Sequence, residues 1–143
     1  MKNNAVELVN LTPHGVTVIS DTGHTAPHWH GTHVFPPSGK IARIESSVRS
    51  KDYISFPRFE LEITNRHQGA VRLEDKEGKV LGDFPLEQDG IIYITSGMVM
   101  EHMTTVYPDR NDVVSPDTTL AIRDEVNRIM GVPSLTRIYK GGV

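Results

Sequence analysis

The chain contains no cysteine, which excludes a disulfide framework and any thiolate metal cluster. A structural metal would have to rely on histidine and carboxylate. Aromatic residues make up only 6% of the sequence, with a single tryptophan, which argues against a stacking platform for single-stranded nucleic acid. Apolar runs last only a few residues, far short of the roughly 20 that cross a bilayer, and the opening MKNNAVELVN lacks the apolar centre of a signal peptide. We therefore expect a cytoplasmic protein with no membrane partner. Positive charge is not in excess either: 15 Lys and Arg against 18 Asp and Glu give a formal charge of −3, which argues against nucleic acid bound through bulk electrostatics.

What remains is a chain of 143 residues, enough for one core, interrupted often by 12 Gly and 9 Pro. The expectation is one domain over 1–143, of the α+β class, made mainly of antiparallel sheet with one short helix. Glu7 to Leu11 and Val16 to Ile19 read as strands of an opening hairpin broken by Thr12-Pro13-His14-Gly15. Residues 20–33 lack apolar periodicity and read as a His-rich surface loop. Beyond it, Val34-Phe35 and Lys40 to Glu45 flank Pro36-Pro37-Ser38-Gly39 as a second hairpin. Phe56 to Ile63 reads as a half-buried strand, in which Phe59, Leu61 and Ile63 alternate with Glu60 and Glu62.

Ala70 to Leu73 and Lys79 to Leu81 enclose a polar turn with Gly78 in a left-handed position. Ile91-Ile92-Tyr93-Ile94 is the strongest strand, continuous and β-branched between Gly90 and Gly97. Ile92, Ile94, Leu61 and Ile63 are the expected core. A short helix over Ser96 to Thr105 follows, capped by Thr95 or Ser96. A loop around Val113-Val114 then leads to a terminal hairpin about Asp124-Glu125-Val126-Asn127, with a helix from Pro116 to Ile129 as the competing reading. Low apolar content, together with Met98, Val99, Met100 and Met103 on one short helix, points to a homo-oligomer.

Catalytic patterns are missing. Four histidines, His24, His28, His30 and His33, crowd one loop, and a His-x-His pair can chelate on a strand, but no HExxH or spaced carboxylate completes a ligand set. No metal site is assigned. Thr95-Ser96-Gly97 sits where a nucleophile elbow would, yet Gly-x-Ser-x-Gly is absent, and Ser or Thr at that place reads as a helix cap. Neither P-loop nor Gly-x-Gly-x-x-Gly is present. The chain reads as a non-enzyme without a cofactor. The chemistry-bearing residues left are arginines of the C-terminal third: Arg110 before Asn111-Asp112, Arg123 before Asp124-Glu125, then Arg128 and Arg137. Their planar forks suit phosphate oxygens, while the neighbouring acids make ordinary ion pairing the competing account.

Leu8-Val9-Asn10-Leu11-Thr12-Pro13-His14, Pro37-Ser38-Gly39, Ala42-Arg43, Ile91-Ile92-Tyr93-Ile94-Thr95-Ser96, Arg110 to Asp117 and Ile122-Arg123-Asp124-Glu125 together resemble small phage and prophage proteins carrying LTPH, YIVS and RDE-type motifs. Among these the chain is similar to the phage anti-Thoeris family, which sequesters glycocyclic ADP-ribose made by bacterial TIR-domain proteins. The resemblance implies an oligomeric nucleotide sponge in the host cytoplasm that holds cyclic ADP-ribose isomers, and cyclic oligonucleotides by extension, without cleaving them. It implies that Arg110, Arg123 and Arg128 face the pyrophosphate and that Asn111 reads ribose or base. The chain departs from the family pattern in its His-rich insertion and in Ile-Thr-Ser where Ile-Val-Ser is usual. The alternatives are a β-rich phage assembly or host-interaction protein and, third, a small hydrolase with a metal held by the loop histidines.

Overall fold

The structure is a computed structural model in which residues 6–20 and 31–138 are described. The described residues are mostly β-strand, with one α-helix. Its strands are β1 (Glu7–Asn10), β2 (Val16–Ser20), β3 (Gly31–Phe35), β4 (Ile41–Phe56), β5 (Phe59–Glu74), β6 (Val80–Asp83), β7 (Ile91–Ile94), β8 (Val113–Pro116), β9 (Ile122–Arg123), β10 (Ile129–Gly131) and β11 (Leu135–Thr136). The helix α1 (Gly97–Val106) lies between β7 and β8.

Ile91-Ile92-Tyr93-Ile94 shows why the centre forms where it does. Alternate residues of a strand face opposite sides. Ile91 and Tyr93 join one buried cluster with Leu11, Val99, Met100, Met103 and Val113, while Ile92 and Ile94 join another with Val16 and Val114. A strand covered on both faces needs the unbroken apolar run that this one has, and such strands tolerate parallel neighbours. β7 accordingly runs parallel to both β1 and β8 in a four-stranded sheet ordered β1-β7-β8-β11, with β11 antiparallel at the edge. Among the described residues the other five of the seven strand pairings are antiparallel, and a single parallel bridge joins Val18 to Val132. The central sheet is thus mixed, a feature absent from the expectation.

Helix α1 makes the crossover between parallel β7 and β8. Ser96 caps it, its hydroxyl accepting from the Val99 N–H at 3.3 Å. Val99, Met100 and Met103 are turned into the core, and of the four apolar residues expected to offer an oligomer contact only Met98 stays exposed. That part of the argument for self-association is corrected: the sheet of the same chain occupies the apolar face of the helix.

Other expectations are also corrected. β1 and β2 do not pair with each other; β1 joins β7, and β2 joins β3. The Asn10 side chain explains the break between them. Buried at 2% exposure, it donates to the His14 and Phe35 carbonyls at 2.9 and 2.8 Å and accepts from the Thr12 N–H at 2.9 Å, so the chain is stapled into a corner instead of a hairpin. β3 and β4 likewise do not form a hairpin, because β4 belongs with β5 and β6 in a three-stranded sheet. Thr32 and His33 fall in β3, so the loop expected over 20–33 ends early; His24, His28, His30 and Trp29 lie outside the described residues.

Leu61 and Ile63 are exposed, at 45% and 39%, instead of lying in the core. Their alternation with Glu60 and Glu62 identifies a strand with one apolar face, but it cannot supply the partner that covers that face. The turn at Pro57-Arg58 splits the expected Phe56–Ile63 strand into the end of β4 and the start of β5. Only the hairpin base is buried, through Ile41, Ala42, Val71 and Leu73.

The remaining turns match the reading. Gly78 takes φ +85° between β5 and β6, which pair antiparallel. β9 and β10 form the terminal hairpin with Asn127 at φ +67°, and the competing helix is reduced to one 3-10 turn at Thr118–Leu120 capped by Asp117. Among the described residues no helix is long and apolar enough to cross a membrane.

Candidate functional site

The arginine pattern divides between two places. Arg110 follows α1: Tyr107 ends the helix, Pro108-Asp109 turns the chain, and the Arg110 N–H closes the turn on the Tyr107 carbonyl at 3.1 Å. Asp112 immediately precedes β8 and is buried there. Its two oxygens accept from Arg110 Nε at 2.9 Å and Nη2 at 2.6 Å, a side-on fork that leaves Nη1 directed away from the carboxylate. The guanidinium carbon lies 5.1 Å over the Phe84 ring, and Phe84 meets Tyr93 edge to face with centroids 5.5 Å apart. The hydrogen bond to Asp112 holds Arg110 in its charged form more firmly than usual, against the opposing effect of burial. Burial pushes the Tyr93 phenol above its ordinary range, and the charge of Asp112 adds to the rise.

This cluster forms one wall of a hollow of about 440 Å³. Phe84, Leu86, Met103 and Tyr107 give it apolar surface; Arg72 and Arg110 bring positive charge, and Asp83 and Glu87 bring carboxylates. Arg72 is anchored on both sides, with Nε at 2.8 Å from Glu45 and Nη1 on Asp83. Asn111 adjoins this wall, its N–H directed at Glu87 at 3.4 Å and its carbonyl accepting from Arg137 Nη1 at 2.6 Å.

Arg123 and Arg128 sit on the β9–β10 hairpin and line a separate, open hollow of about 470 Å³. Arg123 Nη1 donates to the Asn127 carbonyl at 2.9 Å. Asp124 accepts from the Val126 N–H, the Arg128 N–H and Arg128 Nε at 2.9–3.0 Å, and the backbone N–H of Arg128 is the main cause of a carboxyl pKa below the usual range. The Arg123-Asp124-Glu125 run therefore builds a turn. Arg110 lines the first hollow, Asn111 follows it in the chain without lining that hollow, and Arg123 and Arg128 line the second.

Reading the sequence for charge missed Phe84, Leu86, Tyr107 and Arg72. The available signal was Phe84 and Leu86, two large apolar residues about Pro85 in a loop, a pattern suited to covering or lining a cavity. Among the described residues no His, Asp and Glu side chains gather in threes to hold a metal ion. Comparisons with protein-family models, with curated proteins and with solved structures give no match for this chain.

Proposed function

We propose that the protein binds and sequesters a cyclic nucleotide signal of the glycocyclic ADP-ribose type, acting as a phage counter-defence sponge in the host cytoplasm. The observation that carries this reading is the hollow beneath Phe84 and Arg110. Its size lies within the range of small-ligand sites, and it sets apolar walls beside a fixed cation. Phe84 and Tyr107 can pack against an adenine, the free Nη1 edge of Arg110 can meet a pyrophosphate oxygen, and Asp83 or Glu87 can accept from ribose hydroxyls. In this reading Asn111, whose backbone N–H is directed at Glu87, reads the ribose or base from beside the hollow.

Arg123 and Arg128 enter this reading only as a second phosphate-facing pair, reached when copies assemble. Sequestration asks for tight binding alone, and nanomolar affinity corresponds to about −12 kcal/mol. A preformed cavity favours this, because little ordering cost is left to meet on binding. In fold, the reading takes the chain as one α+β domain of mainly antiparallel pairing, and as a homo-oligomer.

Purified protein mixed with glycocyclic ADP-ribose, freed of unbound ligand and then heat-denatured, should release the intact nucleotide, identified by mass. A cleaved product would turn the reading to an enzyme. Failure to retain any nucleotide would end it.

A further inference from the structure

The outer half of the β4–β5 hairpin is a two-stranded ribbon with two unlike faces. The register pairs Ile54 with Leu61, Phe56 with Phe59 and Asp52 with Ile63, so these six residues share one face. The opposite face carries Lys51, Tyr53, Ser55, Glu60 and Glu62, with the Tyr53 hydroxyl donating to Glu62 at 3.4 Å and Lys51 Nζ at 3.5 Å from the same carboxylate. The first face is apolar except for Asp52. Its Phe56 and Phe59 rings stack at 4.7 Å, yet its five apolar side chains remain between 39% and 60% exposed. A lone ribbon has nothing to lay against such a face and is marginal in water.

We infer that this face is an interface between two copies of the chain, packed arm on arm in antiparallel fashion with Ile54 on the two-fold axis. Two observations select a second copy as the occupant. The first is charge. Asp52 stands near the inner end of the stripe and Arg58 in the turn at its tip. Antiparallel packing about Ile54 sets Asp52 of each copy opposite Phe56 of the other, so that Arg58, in the turn just beyond Phe56, comes within side-chain reach of that carboxylate, and an isologous contact makes the pairing twice. Parallel arms would instead set Arg58 against Arg58 and Asp52 against Asp52. The second is area. Two phenylalanines and three smaller aliphatic side chains, exposed by about half, offer on the order of 400 Å² per copy, so two copies bury roughly 800 Å², the scale of a weak, reversible dimer. The inference stands apart from the nucleotide reading, since no residue of the arm stripe lines the Phe84–Arg110 hollow.

The chain's lack of cysteine makes the geometry directly testable. Ile54→Cys should give a covalent dimer under mild oxidation. Asp52→Cys and Phe56→Cys should cross-link poorly alone and well when mixed, because each faces the other across the axis. In sedimentation equilibrium the wild type should dimerise, Leu61→Lys should weaken the dimer at least about tenfold with an unchanged circular dichroism spectrum, and Arg58→Glu should weaken it in a way that adding Asp52→Arg reverses. Monomer mass in the wild type up to about 100 micromolar would overturn the inference, as would a dimer indifferent to Leu61→Lys or a charge exchange that restores nothing.

Discussion

Replacing Arg110 by alanine should destabilise the fold far more than the same change at Arg128, although both arginines pair with an aspartate. The Arg110 and Asp112 side chains are only 13% and 6% exposed, whereas Arg128 is 79% exposed. Removing Arg110 strands the Asp112 carboxylate in a buried position. Breaking a buried pair from one side costs about 3–5 kcal/mol, and the open hollow beside Arg110 lets water in, which moves the expectation to about 3 kcal/mol. Loss of the guanidinium over Phe84 adds roughly 0.5–1 kcal/mol. At about 3 °C per kcal/mol for a chain of this size, Tm should fall by about 10 °C. Arg128→Ala removes an exposed pair and should cost less than about 1 kcal/mol. Urea denaturation of both variants measures the contrast. Adding Asp112→Asn to Arg110→Ala should recover part of the loss, since a neutral amide is cheaper to bury than an unpaired carboxylate. Equal stabilities for Arg110→Ala and Arg128→Ala, or no recovery in the double variant, would refute the reasoning.

Three further outcomes are expected. Burial raises the Tyr93 phenol pKa, so the fold favours the neutral form; that contribution is complete below about pH 10, is lost as pH rises through the folded value, and should vanish from alkaline denaturation curves in Tyr93→Phe. Asn10→Ala should cost about 2–4 kcal/mol in urea denaturation, because the His14 and Phe35 carbonyls lose the amide that satisfies them at the β1–β2 corner. A Cβ on Gly131 would come within 2.9 Å of both the Ile19 side chain and the Thr17 carbonyl, so Gly131→Ala should lower stability by about 1–3 kcal/mol and shift amide resonances of β2.

Local chemistry was readable wherever the responsible residues are close in sequence. Ser96 caps its helix, Gly78 and Asn127 adopt the left-handed turns their neighbours require, and Ile91 to Ile94 is central because no face of it is polar. Partnership was not readable. Glu7–Asn10 pairs with Ile91–Ile94, far along the chain and parallel, and nothing in either segment names the other. The two-residue spacing in Phe59, Leu61 and Ile63 gave the strand but not its exposure, since alternation describes one face and burial depends on what lies opposite.

The candidate site divided in the same way. Charge drew attention to Arg110, Arg123 and Arg128 and the resemblance to Asn111, but Asp124 and Asn127 fold Arg123 and Arg128 into their own turn. The surface completing the Arg110 hollow comes from Phe84 and Leu86, distant in sequence and brought near by β6 and α1. The Leu11-Thr12-Pro13-His14 segment, singled out by resemblance, adjoins the corner that Asn10 staples, so its residues answer first to the fold.

Calorimetric titration of the folded wild-type protein with glycocyclic ADP-ribose, set beside the same titration of Leu86→Glu, tests the central claim most directly. Leu86 is 82% exposed at the rim of the hollow, so its replacement should leave folding intact while placing a carboxylate against the bound phosphates. The account predicts saturable binding to the wild type and at least roughly tenfold weaker binding to the variant. Absence of binding to the wild type, or equal affinity in both proteins, would contradict it.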